Sequence, residues 1–244
     1  MSDVIIRAEN VKKRYKMLGE ELWALKGISL EIQRGEFISI MGPSGSGKST
    51  FFNQLGALDI PTEGKVYFEG QSLFDLSESK QAWVRCNKIG YIFQTFNLVT
   101  VMSALQNVML PMVFQGTPQK EAESRATTIL ERVGLGHRLQ NKPGELSGGQ
   151  QQRVAVARSL ANTPAVILAD EPTGNLDTKT GTEIIELLKK LQREFNVTII
   201  CATHDSKMLA SSDRVCWIRD GRLEKVVTGD QFRLEEMGAD QLGR

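Results

Sequence analysis

The stretch GPSGSGKST, Gly42 to Thr50, sets three glycines and four hydroxyl side chains around a lysine in the pattern G-x-x-x-x-G-K-[ST]. Residues of these types suit one task. Gly42, Gly45 and Gly47 let the backbone turn its N–H groups inward around a phosphate. Lys48 reaches the β/γ oxygens, and the Ser49 hydroxyl can bind Mg²⁺. The whole run of Gly42, Pro43, Ser44, Gly45, Ser46, Gly47, Lys48, Ser49 and Thr50 is therefore a candidate nucleoside-triphosphate site. A plain glycine-rich turn would need neither the lysine nor the hydroxyl. Kinases, GTPases and transporter ATPases all use such a loop, so the motif alone does not choose among them.

A second candidate is VILADEP, in which an apolar strand runs into two carboxylates. Asp170 stands at the C-terminal end of the strand, where parallel α/β folds place their ligands. It can hold Mg²⁺ directly or through water. Glu171, one residue on, is expected to point elsewhere by the alternation of an extended chain and to activate an attacking water.

The third is ELSGGQQQRVAVARSL. Ser147 and Gln150 fit a capping box at a helix start. That reading leaves Gly148 and Gly149 unexplained, because glycine is a poor helix former. Two residues without side chains would bare N–H donors and the positive dipole end, a second anion site. One phosphate loop plus a second phosphate-binding helix end in one chain points to a nucleotide shared between two copies.

The elements that position these residues read as an α/β core. VIIRAENVKKRY, ISLEI and EFISIM are strand-like, and STFFNQLGAL is a helix that follows the phosphate loop. GKVYFEG and KIGYIFQ are further strands. From about residue 95 to 160 the pattern is helical, with Thr117 as N-cap, Pro118 as first helical residue and Gly134 as the end of one helix. Strand and helix then alternate again through AVILAD, TKTGTEIIELLKKLQREF and VTIICATH, and DRVCWIRDGRL closes as a hairpin.

The 244 residues are 41% hydrophobic and 24% charged, with 30 basic against 29 acidic side chains and a net charge of +1. That balance gives no reason to propose nucleic acid as a partner. No apolar run reaches the roughly 18–20 residues of a membrane span, and MSDVIIRAENVKKRYK lacks the features of a signal peptide. Cys86, Cys201 and Cys216 form no CxxC pair and are expected to be reduced. If the protein works at a membrane, another chain is expected to supply the span.

LSGGQ followed by QQRVAVARSL resembles the signature of ATP-binding cassette (ABC) ATPases, and the family's other motifs fall in order over about residues 4–228. GPSGSGKST is similar to the Walker A and VILADE to the Walker B. By the same resemblance Gln94 in YIFQTFNL is the Q-loop glutamine and a further sensor at the metal, and Asp177 in GNLD is the D-loop aspartate. His204 in CATHD is the switch histidine, and Tyr15 in KKRYK the aromatic that stacks on adenine. The resemblance implies a P-loop NTPase (RecA-like) core with a parallel sheet, an N-terminal antiparallel β subdomain and an inserted α-helical subdomain. It implies one ABC ATPase domain over 1–244: core at about 1–93 and 162–228, helical subdomain at about 94–161, tail at 229–244. It also implies a head-to-tail dimer that sandwiches ATP and Mg²⁺. In that dimer Ser147, Gly148, Gly149 and Gln150 would reach the partner's nucleotide, while Glu171 and His204 carry hydrolysis.

ALDIPTEG, FNLVTVMSALQNVMLPM and LADEPTGNLD together resemble the MacB/LolD-type branch. The resemblance implies an ATPase subunit at the cytoplasmic face of the inner membrane, working with a permease on a separate chain in peptide or macrolide export or lipoprotein release. Phe96 to Met112 is the expected docking segment for that permease. The alternatives are an FtsE-like ATPase that controls a membrane partner without cargo, and a soluble non-transport ABC ATPase.

Overall fold

The computed structural model describes residues 3–17 and 20–234. The chain forms two compact units, one of Met1–Gln81 with Thr198–Arg244 and one of Ala82–Val197. Of the tail expected at 229–244, residues 229–234 are helical and the remainder lies outside the described residues.

The first unit holds an antiparallel sheet in the order β2-β1-β4-β5, built from β1 (Val4–Met17), β2 (Glu20–Gln33), β4 (Glu63–Phe68) and β5 (Gln71–Ser72). Along β2, buried Ile28, Leu30 and Ile32 alternate with exposed Ser29, Glu31 and Gln33, so one face meets the core and the other meets water. β2 is longer than ISLEI because β1 pairs with it back to Tyr15↔Leu22 and Met17↔Glu20.

The same unit carries a parallel set. β3 (Phe37–Met41) lies between β8 (Thr198–Ala202) and β9 (Arg214–Arg219), parallel to both, and β10 (Arg222–Thr228) closes the hairpin antiparallel to β9. All of β8 and all of β3 up to Ile40 are buried, which is why these strands read as mainly apolar runs, with only Ser39 and Thr198 polar. α1 (Lys48–Leu55) follows β3 and buries Phe51, Phe52 and Leu55. The short α7 (Ser206–Ser211) follows β8.

The second unit pairs β6 (Ile89–Ile92) in parallel with β7 (Val166–Asp170). Its helices are α3 (Ala104–Gln115), α4 (Gln119–Arg132), α5 (Gly148–Ser159) and α6 (Thr178–Phe195), and α2 (Glu78–Lys88) enters it from the first unit. α6 buries Ile184, Ile185, Leu187, Leu188 and Leu191 along one stripe, with Asp177 as N-cap and left-handed Asn196 as C-cap.

Two local expectations change. α4 begins at Gln119 with Pro118 as its N-cap, not with Thr117 capping a helical Pro118. Pro118 has ψ 140, outside the helical region, and the Thr117 hydroxyl turns back to Gln115. The segment from Phe96 to Met112 also divides: Ala104, Leu105, Val108, Met109 and Met112 of α3 are core, whereas Val101 is 74% exposed and Leu98 and Met102 are half-buried. Among the described residues no helix is long and apolar enough to cross a membrane.

Candidate nucleotide site

In the first unit β3 delivers the phosphate loop. A Cβ at Gly42 would lie 2.0 Å from the Ile218 carbonyl oxygen, and one at Gly47 would lie 2.5 Å from that of Ala24. Gly47 also has φ 101, a left-handed backbone that other residues rarely adopt. The loop is thus fixed by backbone on two sides. Gly221 of the β9–β10 turn donates its N–H to the Ser46 carbonyl at 2.9 Å and accepts from Lys26 N at 2.7 Å. Within the loop, Lys48 Nζ donates to the carbonyls of Gly42 (2.6 Å) and Pro43 (2.9 Å), two of its three donors. Gly47 is the N-cap of α1 and no side chain caps this helix, so its first turn has no acceptor from its own cap residue.

His204 belongs to the same end of the same sheet. β3 and β8 are parallel with Ile40 opposite Ala202, so Gly42 and His204 each stand two residues past a paired position. Thr203 N donates to the Ile40 carbonyl at 3.1 Å and His204 is exposed. Tyr15, near the end of β1, is 36% exposed.

The second unit repeats this logic. β6 and β7 are parallel with Ile92 opposite Ala169, so Gln94, Asp170 and Glu171 emerge at one end. Asp170 ends β7 as expected. Glu171 does not continue the extended chain: its φ is +45, so strand alternation does not set its direction. A turn follows, with Gly174 N donating to the Glu171 carbonyl at 3.0 Å. Asn175 Nδ2 donates to the Gln94 carbonyl at 2.9 Å, and a Cβ at Gly174 would lie 2.8 Å from Gln94 Nε2. Asp177 caps α6, accepting from Lys179 N, Thr180 N and the Thr180 hydroxyl. The hydroxyl of Thr180, then its N–H, hold the Asp177 carboxyl below its ordinary range.

The capping box at the start of α5 is formed. Ser147 Oγ accepts from Gln150 N at 3.3 Å, and Gln150 Oε1 accepts from Ser147 N at 3.0 Å. Gly148 and Gly149 are the first helical residues. They differ in surroundings. A Cβ at Gly149 would lie 2.4 Å from Thr180 Cγ2, whereas one at Gly148 would make ordinary contacts of 3.6 Å with Leu176 and 3.9 Å with Phe96.

Two residues of α5 matter that the sequence motifs passed over. Gln152 is fully buried and its Nε2 donates to the Pro172 carbonyl, next to Glu171, at 2.7 Å. Arg158 donates to the carbonyls of Asn97 (2.5 Å) and Phe96 (2.8 Å), both left-handed residues just past Gln94. Burial pushes the Arg158 guanidinium below its ordinary value. The available signal was Gln152 at the head of the stripe Gln152, Val156, Ser159, a long polar side chain on a buried face.

A strand-loop-helix with this glycine pattern at the end of a parallel strand defines a P-loop nucleoside-triphosphate-binding protein. Residues 25–174 match the family model described as "ABC transporter". The lipoprotein-releasing system ATP-binding protein LolD of Acinetobacter baylyi is 46% identical over 222 residues, 91% of this chain and 97% of the relative. The macrolide export ATP-binding/permease protein MacB of Syntrophobacter fumaroxidans is 45% identical over 222 residues, 90% of this chain and 31% of the relative. Among solved structures, the dimeric post-hydrolysis state of the ATP-binding cassette MJ0796, bound to ADP and Pi, superposes with a TM-score of 0.84. It is 45% identical and covers 92% of this chain and 98% of its own. The chain belongs to the ABC transporter family, as an ATP-binding subunit of the MacB/LolD type.

Proposed function

We propose that this chain is the Mg²⁺-dependent ATP-hydrolysing subunit of a transporter, acting as a pair of identical cassettes on a permease carried by a separate chain. The observation that supports the reading is likeness along the chain: the lipoprotein-releasing system ATP-binding protein LolD is 46% identical over 91% of it, and the nucleotide-loop and capped-glycine helix starts that the roles below need are both formed. The subunit's proposed place is the cytoplasmic face of the inner membrane, and its work is peptide or macrolide export or lipoprotein release.

In this reading Gly42 to Thr50 cradle the phosphates and Tyr15 stacks on adenine. Ser49, Gln94 and Asp170 hold Mg²⁺. Hydroxyl, amide and carboxylate oxygens are the hard donors this ion takes. Ser46 Oγ, buried with no partner among the described residues, is a polar group the loop offers to phosphate. When bound, the ion neutralises charge on the β and γ oxygens. Glu171 accepts a proton from the attacking water, and Gln152 holds the backbone beside it. His204 steadies the γ-phosphate. Ser147, Gly148, Gly149 and Gln150 of one copy grip the nucleotide of the other, with Asp177 beside them in the D-loop.

The test is a tagged Glu171→Gln chain expressed in its native cell, with membranes solubilised in Mg·ATP. Co-purification of a permease with a large extracytoplasmic domain is the expected result. A partner bound to wall hydrolases would move the reading to FtsE-like control without cargo, and ribosomes or no membrane protein would overturn transport.

A further inference from the structure

Tyr15 is tied to a group that none of the roles above uses. After α1 the chain turns through left-handed Ala57, and Leu58 N and Asp59 N both donate back to the Asn53 carbonyl. The next residues dock on β1: Thr62 N donates to the Lys12 carbonyl at 2.8 Å, and Arg14 N donates to Thr62 Oγ1 at 3.0 Å. This brings Asp59 against Tyr15, where both carboxylate oxygens are engaged. Oδ2 accepts from the Tyr15 hydroxyl at 2.9 Å and from Gln54 Nε2 at 3.1 Å. Oδ1 accepts from Lys13 Nζ at 2.5 Å and from Ile60 N at 2.8 Å. The same Lys13 ammonium lies 5.2 Å from the Tyr15 ring centroid.

We infer that Asp59 is a positioning residue for the adenine end of the nucleotide site, holding the Tyr15 ring in its stacking orientation and Lys13 on one ring face. The inference rests on the proposed role of Tyr15. Its physical basis is that stacking uses only the ring, whereas the structure spends a carboxylate, an ammonium and a buried amide on the hydroxyl end. A half-exposed aromatic left to itself rotates, and ordering it on binding weakens affinity. Asp59 does that ordering beforehand. Gln54 is fully buried on α1, the helix that begins in the phosphate loop, so the base end and the phosphate end share one frame.

The experiment compares equilibrium binding of Mg·ATP and Mg·tripolyphosphate, which lacks a base, across full-length variants, together with kcat and KM for ATP. Asp59→Ala and Tyr15→Phe are each expected to raise the Kd for ATP about three- to tenfold, and the double variant to lose no more than the larger single loss. For Asp59→Ala, kcat and tripolyphosphate affinity should stay within about twofold of the parent chain, because Asp59 acts through the Tyr15 hydroxyl and Lys13. Loss of tripolyphosphate binding would overturn positioning, since it would mark general damage to the loop. Additive losses, or an unchanged Kd for Tyr15→Phe, would overturn it as well; the latter decides the matter even if Asp59→Ala does not fold. Tyr15→Ala separates the underlying reading: if it leaves ATP affinity unchanged, adenine stacking by Tyr15 fails first.

Discussion

The two glycine-bearing helix starts of this chain solve one problem in opposite ways. At α1 the N-cap is a glycine with no side chain, and the close approach of the Ile218 and Ala24 carbonyls dictates Gly42 and Gly47. At α5 the chain caps itself through Ser147 and Gln150. Gly149 is accounted for locally by Thr180. Gly148 is not, since a methyl there meets only ordinary contacts. A glycine in a first turn can be required by the protomer or by something outside it, and at Gly148 the described residues of the protomer make no such demand. That fits a partner's nucleotide better than a folding demand.

The sharpest way to break the comparison is at the chemistry both ends are proposed to serve. Glu171→Gln should lower ATP turnover by about 10²–10⁴ and accumulate an ATP-bound dimer, seen by size-exclusion chromatography with Mg·ATP. A normal rate would remove Glu171 from the water-activating role. Next in size, Gly47→Ala forces a side chain onto a left-handed backbone, a strain of about 1–2 kcal/mol before the clash with Ala24, and should cut nucleotide affinity at least tenfold.

At the signature the two glycines should part company. Gly149→Ala should lower Tm, because Thr180 must move. Gly148→Ala should leave Tm unchanged or raise it slightly, Ala being the better helix former by no more than about 1 kcal/mol, and yet abolish the ATP-driven dimer. A Gly148→Ala chain that dimerises normally would remove the partner explanation. Smaller still, Ser147→Ala loses the cap, about 1 kcal/mol, or about 2–4 °C of Tm for a chain of this size.

The least effect is expected at Asp177. Asn also caps helices well, so Asp177→Asn should change Tm little at neutral pH. The Asp177 carboxyl is held below its ordinary range in the folded chain. Its stabilising share is therefore complete above the unfolded value near 4 and is lost as pH falls through the folded one. Thermal melts of both chains should differ most in how they change below about pH 4.

Much of the core could be read from the residues alone. Val166 to Ala169 and Val197 to Ala202 are buried on both faces, so hydrophobicity alone marks them. α6 carries a full apolar stripe and a good cap, and its span was legible to the residue. α2 was not, because only Val84 of that helix is buried and no stripe shows. The site was legible wherever backbone chemistry demands particular residues, as at Gly47 and Ser147. It was not legible where a fold-dependent turn intervenes: the left-handed Glu171 has no sequence signal, and neither Gln152 nor Arg158 could be given a partner before the loops were placed. The apolar run Phe96 to Met112 could not be divided from sequence: Ala104, Leu105, Val108, Met109 and Met112 are core, whereas the stretch before α3 keeps Val101 exposed and Leu98 and Met102 half-buried.

One feature of α5 has a mechanical meaning. Ser147 begins it and Arg158 stands near its end, a rod of about 16 Å at 1.5 Å per residue. Its near end lies beside Phe96 and Leu176 at Gly148, and its far end grips the carbonyls of Phe96 and Asn97. The left-handed pair Phe96 and Asn97 is thereby tied to α5, and any displacement of the helix along its axis must carry these two carbonyls with it or break the Arg158 bonds.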